Sequence, residues 1–132
     1  YDPDSKKQRT YHIIILAKTR KGLKNLYKLV SHSHINDFYR KPRLARSVIR
    51  KYREGLILGS ACVVGEIYSG FLDNIDEAEM DERAKFYDYL EIQPIGNNSF
   101  LKTSERYPSV SSDDDLKEIN KKIMKENLLS EY

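Results

Sequence analysis

Apolar residues are patterned along this chain in two ways, continuous short runs and helical spacings. Residues 11–17 (Tyr-His-Ile-Ile-Ile-Leu-Ala) and the run opened by Gly55-Leu56-Ile57-Leu58-Gly59 are unbroken and rich in β-branched or aliphatic side chains. Runs of that kind predict buried strands, because a strand covered on both faces need not alternate. Residues 89–93 (Tyr-Leu-Glu-Ile-Gln) read as a third strand, stopped by Pro94. Between the runs the period changes to that of a helix. Leu23, Leu26, Tyr27, Val30 and His34 predict an amphipathic helix over about 21–34, with Thr19 as its cap and Lys24 and Lys28 on its outer face. A short helix over about 45–52 places Val48, Ile49 and Tyr52 inward and Arg46, Arg50 and Lys51 outward. A helix opens at Glu66, with Ile67, Tyr68, Phe71 and Leu72 on its apolar side, and another spans about 77–89. The last helix is capped by Ser112, carries Asp113, Asp114 and Asp115 at its positive end and Lys121, Lys122 and Lys125 toward the other, and buries Leu116, Ile119, Ile123 and Leu128. Residues 1–10 read as a polar, disordered lead-in and residues 95–112 as a long loop. The order strand, helix, helix, strand, helix, helix, strand, helix is an α/β pattern with about three parallel strands, right-handed crossovers and covering helices. Three strands are too few to close a barrel.

Composition narrows this picture. A length of 132 residues, 39% hydrophobic and 33% charged, is one domain's worth with a broad wet surface. A single cysteine permits no internal disulfide, which favours a reducing, cytoplasmic setting. The longest unbroken apolar stretch, residues 13–17, is far below the roughly 20 residues a membrane span requires. The net charge of +3 conceals an asymmetry: residues 1–53 hold fifteen Lys and Arg against three Asp and Glu, and the remainder holds eight against seventeen. A basic half beside an acidic half fits contact with a polyanion, and equally fits two halves that face each other.

The candidate chemistry is sparse. Cys62 falls just past the central strand, where α/β folds offer side chains to ligands. It has three possible roles: metal ligand, nucleophile, or small buried apolar side chain. No familiar catalytic cysteine signature flanks it. His12 lies in the first strand, where an imidazole needs a hydrogen-bond partner or a metal. His32 and His34 are two apart on a helix and so point in different directions, as helix-end surface groups rather than a metal pair. Zinc takes three or four protein ligands, and His12 with Cys62 supplies two. The basic set Lys24, Lys28, Arg40, Lys41, Arg43, Arg46, Arg50 and Lys51, interleaved with Phe38 and Tyr39, suits phosphate contact and base stacking. A solvated face, or packing on an acidic neighbour, accounts for it more readily.

Five strings add a resemblance. They are residues 11–18 (Tyr-His-Ile-Ile-Ile-Leu-Ala-Lys), 22–31 (Gly-Leu-Lys-Asn-Leu-Tyr-Lys-Leu-Val-Ser), 38–43 (Phe-Tyr-Arg-Lys-Pro-Arg), 55–62 (Gly-Leu-Ile-Leu-Gly-Ser-Ala-Cys) and 86–94 (Phe-Tyr-Asp-Tyr-Leu-Glu-Ile-Gln-Pro). In this order and spacing they resemble the PHP (polymerase and histidinol phosphatase) domain of bacterial replicative DNA polymerase III of the PolC type. The match is close over about residues 9–94. The resemblance implies a distorted seven-stranded (β/α) barrel, of which residues 11–132 would form the incomplete C-terminal part. It implies a cluster of divalent metal ions (zinc, manganese or magnesium) held by histidines, acidic residues and one cysteine. His12 and Cys62 match two of those ligand positions, Cys62 within a Ser-Gly-Cys string that here reads Ser60-Ala61-Cys62, a change that keeps a small residue beside the site.

The family's opening His-x-His, its next acidic and histidine ligands and its closing Asp-x-His have no counterpart in this sequence, nor do the palm carboxylates that transfer nucleotides. The resemblance therefore implies a fragment, the part that follows the exonuclease inserted in such PHP domains. The parent protein would be a DNA-directed DNA polymerase acting in replication, with DNA, other polymerase domains and replisome subunits as partners and no membrane. Its PHP domain would hydrolyse phosphoesters by metal-activated water or only brace the polymerase. The fragment alone would neither polymerise nor assemble a whole metal cluster. The alternative is a nucleic-acid-binding or subunit-docking module that uses the basic face of residues 18–53.

Overall fold

The computed structural model describes residues 8–129, with side chains to residue 127. The disordered lead-in expected over residues 1–10 thus lies outside the described residues at positions 1–7, as does the burial expected of Leu128. The elements run β1 (Ile14–Ala17), α1 (Arg20–Ile35), α2 (Arg46–Lys51), β2 (Leu56–Gly59), α3 (Glu66–Leu72), α4 (Glu77–Ala84), a 3-10 helix (Ile95–Thr103) and α5 (Asp113–Leu129). This is a mixed helix and strand architecture with one small sheet, β1 beside β2.

The strands do not run parallel as expected. The Lys18 N–H donates to the Gly55 carbonyl at 2.8 Å, joining the end of β1 to the start of β2. The His12 N–H donates to the Val64 carbonyl at 3.1 Å, joining residues ahead of β1 to residues past β2. The first link sets the end of β1 against the start of β2, an antiparallel pairing; the second belongs to an isolated parallel bridge, His12 with Gly65, outside the two strands. A single crossover helix would return the chain to the start of β1; here α1 and α2 together deliver it to the finish. The third expected strand shrinks to one parallel bridge, Gly59 with Tyr89, so a sheet of about three parallel strands is replaced by two antiparallel strands and a bridge. The strand expected over 11–17 is shorter and only half-covered, and Leu16 is 49% exposed.

Two compact units divide the described residues, one of 8–10 and 15–57, the other of 11–14 and 58–129. In the first unit the Thr19 hydroxyl accepts the Gly22 N–H at 3.0 Å and caps α1, as the sequence predicts. The buried face of α1 is a different one from that expected. Gly22, Asn25, Leu29 and Ser33 are covered, whereas Leu23, Tyr27 and Val30 are exposed. Backbone contact makes that choice. Gly22 packs against Gly55, which sits at φ 78 in the left-handed region, with no space for a side chain between them. Asn25 Nδ2 donates to the Glu54 carbonyl at 2.8 Å beside this contact. In α2, Ile49 is buried while Val48 and Tyr52 are half-buried.

In the second unit α3, α4 and α5 pack on one another, and α5 also packs on the 3-10 helix. Leu58, Ile67, Leu101, Leu116 and Ile123 are its deepest side chains. Asp76 caps α4 by accepting the Glu79 N–H at 2.7 Å. α4 stops at Ala84, five residues short of the expected end, and Phe86 and Tyr87 turn inward behind it. At the start of α5 the Asp115 carboxylate accepts the Ser111 and Ser112 N–H groups, both at 2.9 Å, and these bonds hold its pKa below the usual carboxylate value. The helix runs on to Leu129, so Lys121, Lys122 and Lys125 lie ahead of its last turn rather than in it. The loop expected over 95–112 contains the 3-10 helix, anchored to α5 by Lys102 and Asp113 at 2.7 Å.

Two outcomes follow. Gly22→Ala drives a methyl group into the Gly55 backbone and should destabilise the chain by about 1–3 kcal/mol, read as a lower urea midpoint with unchanged slope. Glu126 on α5 is pushed above the ordinary carboxylate pKa, first by burial, then by the charge and hydrogen bond of Asp81 and the charge of Glu77, with Lys125 opposing. Its folded pKa exceeds its unfolded one, so ionisation costs stability as pH rises through and past the raised value. Glu126→Gln should therefore raise Tm at pH 7, and the gain should vanish at about pH 4, measured by circular dichroism melts across that range.

Candidate functional site

The segment that leaves β2 is shaped by backbone demands before any chemistry is considered. The Ser60 hydroxyl accepts the Glu91 N–H at 2.8 Å, and the Ser60 N–H donates to the Tyr89 carbonyl at 3.3 Å. Two residues earlier, Leu58 and Asp88 exchange two bonds: the Leu58 N–H donates to the Asp88 carboxylate at 2.7 Å, and the Asp88 N–H donates to the Leu58 carbonyl at 2.8 Å. With both sides of the strand end tied, the chain turns sharply. Ala61 takes φ 59, in the left-handed region that favours glycine. Cys62 follows, half-buried and free, and its carbonyl accepts the Gly65 N–H at 2.7 Å to close the turn. Where the resemblance implies a glycine, Ala61 is still small but gives up glycine's conformational freedom, so the change is costlier than size alone implies.

Gly65 is the meeting point with His12. The two residues form a parallel bridge, the His12 N–H bonding to Val64 beside it. The fold thus brings the His12 backbone to the residue three positions past Cys62, at the same end of the sheet. The sequence places His12 within a buried strand; its side chain is instead exposed, at an isolated bridge ahead of β1. Among the described residues no three or more His, Cys, Asp and Glu side chains are arranged to hold a metal ion. One imidazole and one thiol are suitable donor types for zinc but fall short of its three or four protein ligands. These residues do not by themselves fit a complete metal centre.

Next to Gly65 stands a group that sequence spacing does not reveal. Glu66, in the first turn of α3, is 7% exposed. Its Oε2 accepts the Tyr87 hydroxyl at 2.8 Å, and Arg83 Nε lies 3.7 Å from Oε1. Arg83 also donates to the Glu66 carbonyl at 3.1 Å and to Glu79 Oε1 at 2.7 Å, and stacks over the Tyr11 ring with 5.6 Å to its centroid. Acidic, basic and phenolic groups from four segments meet here. The one signal in the sequence was Glu66 at a helix start, where its charge suits the dipole; its partners lie 17 and 21 positions away.

The basic candidates of the first unit gather around two tyrosines. Arg40 and Arg43 stand over the Tyr39 ring, 5.4 and 5.3 Å from its centroid. Lys28 and Lys51 stand over the Tyr52 ring at 5.6 and 5.4 Å. Arg43 also donates to the Asp37 carbonyl at 3.2 Å, and the Lys41 carbonyl accepts the Tyr39 N–H at 3.1 Å. Lys24 and Arg50 are exposed and Arg46 is half-buried. His32 and His34 have separate partners: His32 pairs with Asp37 at 2.9 Å, and His34 Nδ1 bonds the Val30 carbonyl at 2.8 Å. Among the described residues no helix is long and apolar enough to cross a membrane.

Comparison with known proteins gives consistent relatives. The family model described as PHP domain matches residues 1–94. The chain is 53% identical over 120 residues to a DNA polymerase III PolC-type of Clostridium perfringens, a match that covers 91% of this chain and 8% of that protein. It is 50% identical over 120 residues, 91% of this chain and 8% of the relative, to the DNA polymerase III PolC-type of Caldanaerobacter subterraneus. For that of Bacillus subtilis the identity is 54% over 88 residues, 67% of this chain and 6% of the relative. The chain spans less than a tenth of the length of these relatives.

The turn at Ala61 yields a direct check. Ala61→Gly relieves the left-handed backbone and should stabilise the chain by about 1 kcal/mol, visible as a Tm increase of a few degrees.

Proposed function

The chain belongs to the PHP domain family, and on that footing we propose that it is a portion of a PolC-type replicative DNA polymerase, a DNA-directed nucleotidyltransferase. The observation that carries this reading is the 53% identity sustained over 91% of the chain with a PolC-type relative. In this reading the parent protein acts on DNA in the cytoplasm alongside other polymerase domains and replisome subunits. The segment contributes part of a seven-stranded PHP barrel whose remaining strands come from elsewhere in the polypeptide.

His12 and Cys62 are proposed as two of the donors that hold divalent metal, as zinc, manganese or magnesium, in the complete PHP domain. What supports this is the bridge from His12 to Gly65, which sets both residues at one end of the sheet, together with the exposure of the imidazole and the half-exposure of the thiol. When bound, the metal would supply Lewis-acid chemistry for phosphoester hydrolysis, or would only brace the domain. This chain's own contribution is the rigid turn: Ser60 and Gly65 fix the backbone on both sides of Cys62, and the Glu66 network fixes the helix start behind it.

The full-length parent protein tests both parts. Primer extension on a DNA template should be seen, and its absence in a folded preparation would overturn the polymerase reading. Elemental analysis of the same preparation should find divalent metal, with occupancy reduced by His12→Ala and Cys62→Ala together. Unchanged occupancy in the double variant would remove both residues from the metal site and leave the polymerase reading standing.

A further inference from the structure

Residues 89–93 (Tyr-Leu-Glu-Ile-Gln) have the composition of a strand, yet they form a single bridge, Gly59 with Tyr89. Toward β2 the Tyr89 N–H donates to the Leu58 carbonyl and the Ser60 N–H to the Tyr89 carbonyl, both at 3.3 Å. The Glu91 N–H donates to the Ser60 hydroxyl at 2.8 Å. Other backbone groups of the segment go to α5. The Leu90 N–H donates to Asn127 Oδ1 at 3.3 Å. Asn120 meets Gln93 at two points: its Oδ1 accepts the Gln93 N–H at 3.4 Å, and its Nδ2 donates to the Gln93 carbonyl at 2.8 Å. A side-chain amide presents a donor and an acceptor on one planar unit, as a peptide group does. These asparagines therefore give the segment what a neighbouring strand would give it.

The match is one of length as well as chemistry. Asn120 and Asn127 are two helical turns apart, about 10.5 Å along the axis. Leu90 and Gln93 span about 10 Å of extended chain. The later asparagine meets the earlier residue, so α5 lies antiparallel to the segment and engages it at both places. The apolar anchoring of α5 comes from Leu116, Ile119 and Ile123, so the asparagines contribute backbone bonds rather than core. A strand edge rich in Tyr, Leu and Ile, with no Gly or Pro before Pro94, is a template for pairing with its own kind. Ile92, 48% exposed, adds an apolar side chain to that hazard. We propose that α5 is an edge guard: Asn120 and Asn127 hold residues 89–93 extended and close them to pairing with the same segment of a second copy of this chain. The inference is independent of the His12 and Cys62 pair and of the polymerase reading.

Sedimentation velocity over a concentration series tests this on the wild-type chain and on Asn120→Ala with Asn127→Ala. Both asparagines are half-buried and alanine is the better helix former, so the double variant should keep its helical circular dichroism signal. The wild type should sediment as a monomer and the double variant should self-associate as concentration rises. Adding Ile92→Lys, which puts a charge on the freed edge, should return the double variant to monomer. Met124→Lys, at a position 51% exposed on α5, is the matched control and should leave the association in place. Hydrogen exchange at single amides supplies a second measurement. Asn127→Ala should speed exchange at Leu90 roughly fivefold and leave Gln93 unchanged, and Asn120→Ala should do the reverse. These single variants decide the matter if the double variant loses its helical signal. A folded double variant that stays monomeric would overturn the guard, as would association reversed equally by the two lysine substitutions. Wild-type association that Ile92→Lys abolishes would also overturn it. Exchange that rises equally at both amides, or at neither, would show that the asparagines do not hold the segment.

Discussion

The Glu66 carboxylate is withdrawn from water at the very point where the second unit has to be organised. Burying an ionised carboxylate costs several kcal/mol unless opposite charge and hydrogen bonds replace its hydration. Here the Tyr87 hydroxyl, the Arg83 guanidinium and the positive end of α3 do so together. Because Arg83 belongs to α4 and its guanidinium also grips the Glu66 carbonyl and Glu79, the arrangement is a lock rather than a single pair. Removing Arg83 would strand a charge in the interior, which is far more damaging than losing an exposed ion pair. What the lock secures is positional. α3 can start only at Gly65, and Gly65 is the residue that bridges to His12 and closes the turn behind Cys62. The placement of the candidate donors is thus inherited from a buried charge that adjoins neither of them in sequence.

How much of this was legible beforehand depends on the range of the forces involved. The caps of α1 and α5 and the buried stripe of Leu116, Ile119 and Ile123 rest on neighbours within a turn or two, and the sequence shows them directly. The apolar stripe of α1 misleads because periodicity reports which face is able to be buried, not which face is. Gly22 and Asn25 look like weak positions in a helix, yet a glycine admits the Gly55 backbone and the asparagine caps a carbonyl there. That contact joins distant parts of the sequence and leaves no periodic trace. Strand direction failed for a related reason. An unbroken apolar run says that a strand is wanted; only the number of helical passes before the next run decides its direction, and α2 is just six residues long.

At the candidate site the division is the same. Resemblance picked out His12 and Cys62 as residue types at positions, and the backbone bridge at Gly65 supports their proximity. Resemblance also treated Ser60-Ala61-Cys62 as a mild variant of Ser-Gly-Cys that keeps a small residue, because a string comparison carries no φ angle. The left-handed Ala61 converts that judgement into an energetic one, and the strain is held in place by the Ser60 bonds to Tyr89 and Glu91 on the far side. A non-glycine residue kept in that region next to a free thiol is a stored constraint, and it fixes the direction in which Cys62 leaves the strand.

The exposed apolar face of the first unit bears on how the family relationship should be understood physically. Two strands with one half-covered face make a marginal sheet, and Leu16, Leu23 and Val30 are exposed by 49%, 41% and 49%. A chain spanning less than a tenth of its relatives' length is expected to present surface that other segments would bury. The lysines and arginines of the same unit behave differently. Apolar surface is satisfied by any well-shaped cover, whereas these cations are already ordered, Lys21 on Glu54 and Lys28, Lys51, Arg40 and Arg43 over tyrosine rings.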